Sequence, residues 1–234
     1  MKDQYSGDVN DYRKYGILRA LAEAGLSLGV CWMLTPDDGR TDGKHTSYLF
    51  QPARWRRLDP ALFDALAGIV ASRRCVAAVE QSGVLGSAAF FSEQVPDRAP
   101  ERETWFDNSL AALAGRDLIF FDPDNGLEVA SVPYGRVNSS KYLYWREVAR
   151  AWQNGHSLLI YQHFPRRERS AFIRALSQRF GEHCPGAEVA CLSTSFVAFF
   201  AVAQERHKDV MRAGLKRASR FAHKPDVTEP LLCG

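Results

Sequence analysis

The fold is decided by one stretch, residues 117–128, whose sequence is DLIFFDPDNGLE. An unbroken apolar run, Leu118–Phe121, precedes a loop that carries Asp122, Asp124 and Asn125. A strand with continuous apolar character is covered on both faces, which is typical of a parallel sheet between helix layers. We therefore predict a buried strand over 117–121 that delivers an acidic loop to one edge of a sheet.

The segments around this strand alternate between strand-like and helix-like patterns. Apolar runs predict strands over 28–34, 75–80, 88–91 and 157–162, and a hairpin of 188–192 with 196–203. Amphipathic segments predict helices over 11–24, 60–72, 105–114, 145–153, 166–180 and 204–220, and a surface loop over 93–103. We expect a single α/β domain over 1–234, with a mainly parallel, Rossmann-like sheet and a C-terminal β-hairpin.

The composition is that of a globular protein. The chain has 234 residues, of which 46% are apolar and 24% are charged. The five cysteines (Cys31, Cys75, Cys184, Cys191 and Cys233) show no Cys-x-x-Cys spacing, so we interpret them as small core residues. The polar N-terminus and the absence of an apolar run near the ~20 residues of a membrane span predict a cytoplasmic protein.

Basic residues are concentrated in the C-terminal third, although the formal net charge is only +3. They are Arg166, Arg167, Arg169, Arg174, Arg179, Arg206, Lys208, Arg212, Lys216, Arg217, Arg220 and Lys224. One interpretation is a set of solvated helix faces. The other is a surface of basic C-terminal helices that follows the phosphates of RNA or DNA.

The acidic loop is the first candidate for chemistry. Ligands of open α/β sheets collect beyond the carboxyl ends of the strands, where this loop is predicted to lie. Placing Asp122, Asp124 and Asn125 together costs desolvation and repulsion unless a ligand, a metal or a cation compensates. The alternative is a polar turn in which these side chains cap backbone N–H groups.

Four further residues are predicted to face the same crevice. Asp37 lies in the loop after the first strand, and Glu80 ends the predicted 75–80 strand, where an acid can bind ribose hydroxyls. His163 follows the 157–162 strand, and Lys14 lies in a dense polar and aromatic run over 7–15. The alternatives are an ordinary turn for Asp37 and a solvated strand end for Glu80. For His163 the alternative is a structural histidine, and for the run over 7–15 it is a set of helix caps.

The order of these segments resembles the bacterial large-subunit ribosomal RNA adenine-N6 methyltransferases of the J type. The family's Asp-Val-x-Lys-His segment looks like residues 11–15 (DYRKY), and its Asp-Pro-Pro-Tyr looks like residues 122–125 (DPDN). The resemblance implies a methyltransferase-type sheet and the cofactor S-adenosylmethionine. It also implies that Asp122 orients a nucleophilic amine or hydroxyl, while Lys14, Asp37, Glu80 and Pro123 contact the cofactor.

Two departures from that family have physical consequences. Asn125 stands where the family has a tyrosine that stacks on a flipped base, and an amide does not supply that stacking. The loop over 35–39 lacks most of the family's glycines and would crowd the methionine part of the cofactor.

Two other functions are therefore kept beside the methyltransferase. Asp122, Asp124 and Glu128, with Asp37 or His163, would suit Mg²⁺ or Mn²⁺ in a metal-dependent hydrolase or nuclease. A non-catalytic module that binds nucleic acid or another partner on a degenerate methyltransferase fold is the third hypothesis.

Overall fold

The structure, a computed structural model, describes residues 1–36, 43 and 45–222. Its helices are α1 (Val9–Ala24), α2 (Pro52–Trp55), α3 (Pro60–Ser72), α4 (Val76–Gln81), α5 (Ala99–Ala112), α6 (Trp145–Gln153), α7 (Arg169–His183) and α8 (Lys208–Ala218). Its strands are β1 (Leu28–Cys31), β2 (Ala89–Phe91), β3 (Leu118–Phe121), β4 (Gly126–Leu127), β5 (Tyr142–Leu143), β6 (Ser157–His163), β7 (Glu188–Ser193) and β8 (Val197–Ala203).

Six strands form the central sheet, in the order β2-β1-β3-β6-β8-β7. β1, β2, β3 and β6 run parallel, and Phe121 lies opposite Cys31 and Ile160. β8 runs antiparallel to both β6 and β7, with Glu188 opposite Ala203. The sheet is therefore mostly parallel and compatible with a Rossmann-like α/β fold. We call the end of the sheet after Phe121 and His163 the carboxyl edge, and the opposite end the amino edge.

Alternate side chains of β3 pack into two apolar layers, one on each face of the sheet. Leu118 and Phe120 belong to the layer that contains residues of α1, α3 and α8. Ile119 and Phe121 belong to the layer that contains residues of α5, α6 and α7. All four side chains are fully buried, each contributing about 1.5–3 kcal/mol, which explains the continuous apolar sequence.

Helix α1 is placed by strong signals at both of its ends. The Asp8 side chain accepts hydrogen bonds from the backbone N–H groups of Asn10 and Asp11, at 2.8 and 3.0 Å. Gly25 ends the helix with a φ of 119°, a conformation that favours glycine. Because α1 starts at the carboxyl edge, its first turns are available to a site there.

The prediction of a strand over 75–80 is wrong, because this segment forms helix α4. Val76 and Val79 are buried at helical spacing, and the Asp3 carboxylate accepts the Val76 backbone N–H at 2.8 Å. A short apolar run does not distinguish a strand from a buried helix turn. The Asp3 contact, which supports the helix start, comes from a distant part of the chain.

Other boundaries also differ from the sequence predictions. β1 ends at Cys31, and only an isolated bridge between Leu34 and Gln94 continues the predicted strand. Helix α5 begins at Ala99, within the predicted surface loop, with Pro100 in its first turn. Cys31, Cys75, Cys184 and Cys191 are free and buried, whereas Cys233 and Lys224 lie outside the described residues. Within the described ranges, no helix is both long and apolar enough to cross a membrane.

Candidate functional site

A cavity of about 550 Å³ opens at the carboxyl edge. Its wall combines the N-terminal segment, the first turns of α1, the loop after β3, the end of β6 and the tip of the β7–β8 turn. This volume lies within the usual range for small-molecule sites, about 300–1,000 Å³. The edge is also where ligands collect in α/β sheets.

Lys14 is the centre of a buried network in the cavity wall. Its ammonium donates to Asp11 Oδ1 at 2.9 Å and to Asp122 Oδ2 at 2.7 Å. It also lies 4.8 Å from the centre of the Tyr161 ring, and Tyr15 donates its hydroxyl proton to Asp11. Burial lowers the pKa of Lys14, but Asp11 and Asp122 raise it more, so the net shift is upward. Lys14 is therefore a fixed cation that holds Asp122 in place.

The N-terminal ammonium compensates the second acid of the loop. Met1 N forms an ion pair with Asp124 Oδ1 at 2.8 Å and donates to the carbonyls of Met33 and Asp122, at 3.1 and 3.0 Å. Thr35 donates its hydroxyl proton to Asp124 Oδ2 at 2.6 Å. Burial raises the pKa of Asp124, but the Met1 ammonium and the Thr35 hydroxyl lower it more, to below its usual range.

The acidic loop is thus neutralised by the protein's own cations. No cluster of three or more metal-ligating side chains occurs among residues 1–36, 43 and 45–222. Glu128, the third proposed ligand, accepts the backbone N–H of Trp145 at 2.9 Å at the start of α6, and it does not line the cavity. Of the three sources of compensation expected for this loop, a ligand, a metal or a cation, the structure shows the protein's own cations.

Helix α1 presents two buried polar atoms without a hydrogen-bond partner. They are Arg13 Nε and Asn10 Oδ1, and both residues line the cavity. Three residues separate Asn10 from Arg13, so they share one helix face. The Arg13 guanidinium also lies 5.4 Å from the centre of the Trp55 ring. Unsatisfied buried polar atoms are rare in native proteins and call for an explanation, such as a ligand.

Asp8 and His163 are two further groups of the wall with displaced pKa values. Burial, followed by the charge of Asp11, raises the pKa of Asp8 to about 7. His163 is exposed at the end of β6, and partial desolvation, followed by the charge of Lys14, lowers its pKa to about 4. The His163 ring packs edge-on against Tyr161, with ring centres 5.0 Å apart. At neutral pH, His163 is therefore a neutral hydrogen-bonding group.

Asn125 lies apart from the other residues of its loop. Its side chain is exposed, its backbone N–H donates to the Lys141 carbonyl at 3.0 Å, and it does not line the cavity. The next residue, Gly126, has a φ of 112°, and a Cβ there would lie 2.4 Å from Gln162 Oε1. This tight turn directs the chain away from the cavity after Asp124. Asp122, Pro123, Asp124, Lys14 and His163 are brought together, whereas Asn125 is not.

Glu80 is also separated from the cavity. It lies on α4, accepts the indole N–H of Trp32 at 2.7 Å and accepts the Ser92 hydroxyl. Trp32 directly follows β1, is fully buried and stacks on Phe90, with ring centres 6.1 Å apart. The space beyond β1 therefore contains a tryptophan instead of a glycine-rich loop. Asp37 lies outside the described residues, so its place at the cavity is not defined.

A second depression, of about 440 Å³, adjoins the cavity. Arg166, Arg167 and Arg169 line it, together with Phe164 and Pro165. Ser195 and Phe196 line both the depression and the cavity. We call this depression the arginine groove.

Four residues of the cavity wall were not among the site residues predicted from the sequence: Asp8, Asn10, Arg13 and Tyr161. Asn10, Arg13 and Lys14 have i, i+3 and i+4 spacing, which would have placed all three on the face assigned to Lys14. Tyr161 lies two positions before His163 on a strand, so its side chain points to the same side of the sheet.

The chain matches none of the known protein-family models and none of the curated proteins with which it was compared.

Proposed function

We propose that the cavity binds S-adenosylmethionine and that the protein is a methyltransferase-like enzyme acting on nucleic acid. The observation that carries the proposal is the pair of unpartnered atoms in the cavity wall, Arg13 Nε and Asn10 Oδ1. The amino-acid end of S-adenosylmethionine carries a carboxylate that accepts hydrogen bonds and an ammonium that donates them. Arg13 is the matching donor and Asn10 is the matching acceptor.

The balance of charge in the wall supports the same ligand class. Three cationic groups face four carboxylates. Opposite charges compensate within the Lys14–Asp122 pair and within the Met1–Asp124 pair. The lining groups are Asp8, Asp11, Asp122 and Asp124 against the Met1 ammonium, Arg13 and Lys14. A ligand that carries both signs of charge suits this wall better than a polyanion such as a nucleoside triphosphate.

The wall also offers a site for the proton released by methyl transfer to an amine. S-adenosylmethionine supplies the methyl group from its sulfonium when it is bound. Asp122 is held by Lys14 and orients the acceptor. Burial raises the pKa of Asp122, and the Lys14 charge offsets only part of that rise. Asp8, with a pKa of about 7, is matched to proton uptake near neutral pH.

Calorimetric titration with S-adenosylmethionine, without metal, tests the proposal. We expect saturable binding that weakens about 10-fold or more in Arg13→Met, because a charge-assisted hydrogen bond contributes about 1.5–3 kcal/mol. Arg57→Met is the matched control, since Arg57 is exposed and does not line the cavity. No binding at millimolar concentration would contradict S-adenosylmethionine as the cofactor. Equal affinity of Arg13→Met and Arg57→Met would contradict the cavity as its binding site.

A second candidate is a nucleic-acid-binding module without catalysis. Trp32 favours it, because this buried indole occupies the space after β1 and its N–H engages Glu80, the residue expected to bind ribose. Nucleic-acid binding together with a failed cofactor titration would select this second candidate.

A further inference from the structure

The arginine groove is a cationic surface without acidic partners. Among the described residues, Arg166, Arg167 and Arg169 form no ion pair, and Arg169 lies over the Phe164 ring at 5.5 Å. On α8, by contrast, Lys208 pairs with Glu205, and Arg212 pairs with Glu188 and Asp209. Among the described residues, Lys216 and Arg217 of α8 likewise form no ion pair, so the groove differs from α8 in its position: it shares Ser195 and Phe196 with the cavity.

Phe196 joins the groove to the cavity. Its side chain is 71% exposed, although it is aromatic, and it lines both depressions. Its backbone is held in place, because its carbonyl accepts the Phe164 N–H at 3.1 Å and its N–H donates to Thr194 Oγ1 at 3.3 Å. A large apolar ring is thus fixed in water between a cationic groove and a polar cavity.

We propose that Arg166, Arg167 and Arg169 bind the phosphates of a single-stranded nucleic acid, and that Phe196 stacks on one of its bases at the cavity mouth. Arginine side chains and exposed aromatic rings are the two components with which proteins bind single strands. An unpaired base offers its face to Phe196, whereas a base within a duplex is covered by its neighbours. Phe196 would supply the stacking that Asn125 does not provide.

This inference rests on the proposed function for its catalytic meaning, because it describes how the methyl acceptor is bound. Its binding step is nevertheless separate from the cofactor. A failure of this proposal can be distinguished from a failure of the proposed function, since oligonucleotide affinity is measured without S-adenosylmethionine. Within the basic C-terminal surface predicted from the sequence, the groove rather than α8 is then the main contact with nucleic acid.

The test is fluorescence anisotropy of the full chain with a labelled single-stranded RNA of about 12 nucleotides, a length within the usual site sizes. Arg166→Ala/Arg167→Ala should weaken binding about 10-fold or more and reduce the slope of log K against log salt by about 1.4, for two lost phosphate contacts. The matched control is Lys216→Ala/Arg217→Ala, which removes the same charge from α8. This control should retain most of the affinity.

Phe196→Ala tests the stacking part. We expect a loss of about 10-fold with little change in salt slope, because base stacking contributes about 1–3 kcal/mol. Phe50→Ala is the control, since Phe50 is 85% exposed but lines neither depression. The proposal would be overturned by equal losses in the groove and α8 double variants, by an unaffected Phe196→Ala, or by a polyglutamate peptide binding as tightly as the RNA.

Discussion

The amino and carboxyl edges of the sheet both carry charged, hydrogen-bonded networks, but only the carboxyl-edge network lines one of the two depressions described above. At the amino edge, Ser157 Oγ and His207 Nδ1 lie 2.9 Å apart, and His207 Nε2 lies 3.2 Å from Asp117 Oδ1. Ser27 donates its hydroxyl proton to Asp117 at 2.6 Å, and Gln204 donates its backbone N–H to Ser157 at 3.0 Å. This network joins the starts of β3 and β6 to the end of β8.

The amino-edge network contains the residue types of a serine nucleophile, its base and an acid. Ser157 is fully buried, its hydroxyl accepts a backbone N–H, and neither depression described above includes it. A nucleophile needs access to a substrate, which this arrangement does not provide. The carboxyl edge differs, because Arg13 Nε and Asn10 Oδ1 lack partners beside a cavity. Residue types alone therefore do not identify a site, whereas unpaired polar atoms that line a cavity point to one.

The largest expected effect concerns the stability of the carboxyl-edge network. Lys14→Met leaves Asp11 and Asp122 buried without their cation, so we expect the free energy of unfolding to fall by about 3–5 kcal/mol. Urea denaturation measures this change. Lys208→Met, which removes a surface pair, should cost about 0–1 kcal/mol. Similar values for both variants would contradict the role of Lys14.

The next prediction concerns pH at the carboxyl edge. The folded pKa of Asp8 is raised to about 7 from an ordinary 3.8, so the folded state holds this proton more tightly than the unfolded state. Ionisation therefore destabilises the fold as pH rises between these two values. Asp8→Asn keeps a good helix cap and removes that cost. We expect equal stability at low pH and a variant more stable by roughly 4 kcal/mol above the folded pKa, since one pKa unit corresponds to about 1.4 kcal/mol.

Urea denaturation of wild type and Asp8→Asn across this pH range measures the difference. A difference that stays constant, or that favours the wild type as pH rises, would show that Asp8 is ionised without cost in the folded protein. The first turn of α1 would then be an ordinary cap, like the polar groups at the amino edge.

The smallest expected effect lies at the amino edge. Ser157→Ala removes an acceptor for the Gln204 N–H and a partner for His207, so we expect a loss of about 1–2 kcal/mol in unfolding free energy. Binding of S-adenosylmethionine and of RNA should not change. Calorimetry and anisotropy check this, and weaker binding of either ligand would show that the two edges are coupled.

The sequence predicted the parts of the fold whose apolar runs are rich in aromatic and β-branched residues. Leu118–Phe121 indicated a strand covered on both faces, and that strand leads to Asp122 at the carboxyl edge. The run over 75–80, which contains two alanines, was ambiguous between strand and helix, and the Asp3 contact that supports a helix there comes from distant sequence. Local patterns do not contain such contacts, so Glu80 was expected at the site but lies on α4.

The candidate site was only partly predictable for the same reason. Lys14 and Asp122 were selected from residue type and position, and they lie 2.7 Å apart in the cavity wall. Whether Arg13 or Asn10 has a partner depends on how α1 packs, which spacing alone does not determine. The compensation of Asp124 by Met1 joins residues far apart in sequence, so the sequence left a metal as an alternative.

The most direct measurement is a crystal structure of the protein grown with S-adenosylhomocysteine, the demethylated product of the proposed cofactor. We predict electron density in the carboxyl-edge cavity, with the ligand carboxylate at Arg13 and its ammonium at Asn10. Density beside Glu80 and Trp32, density at the amino edge, or an empty cavity at saturating ligand would contradict the claim. That claim is that the carboxyl-edge network, with its two unpartnered atoms, forms the functional site.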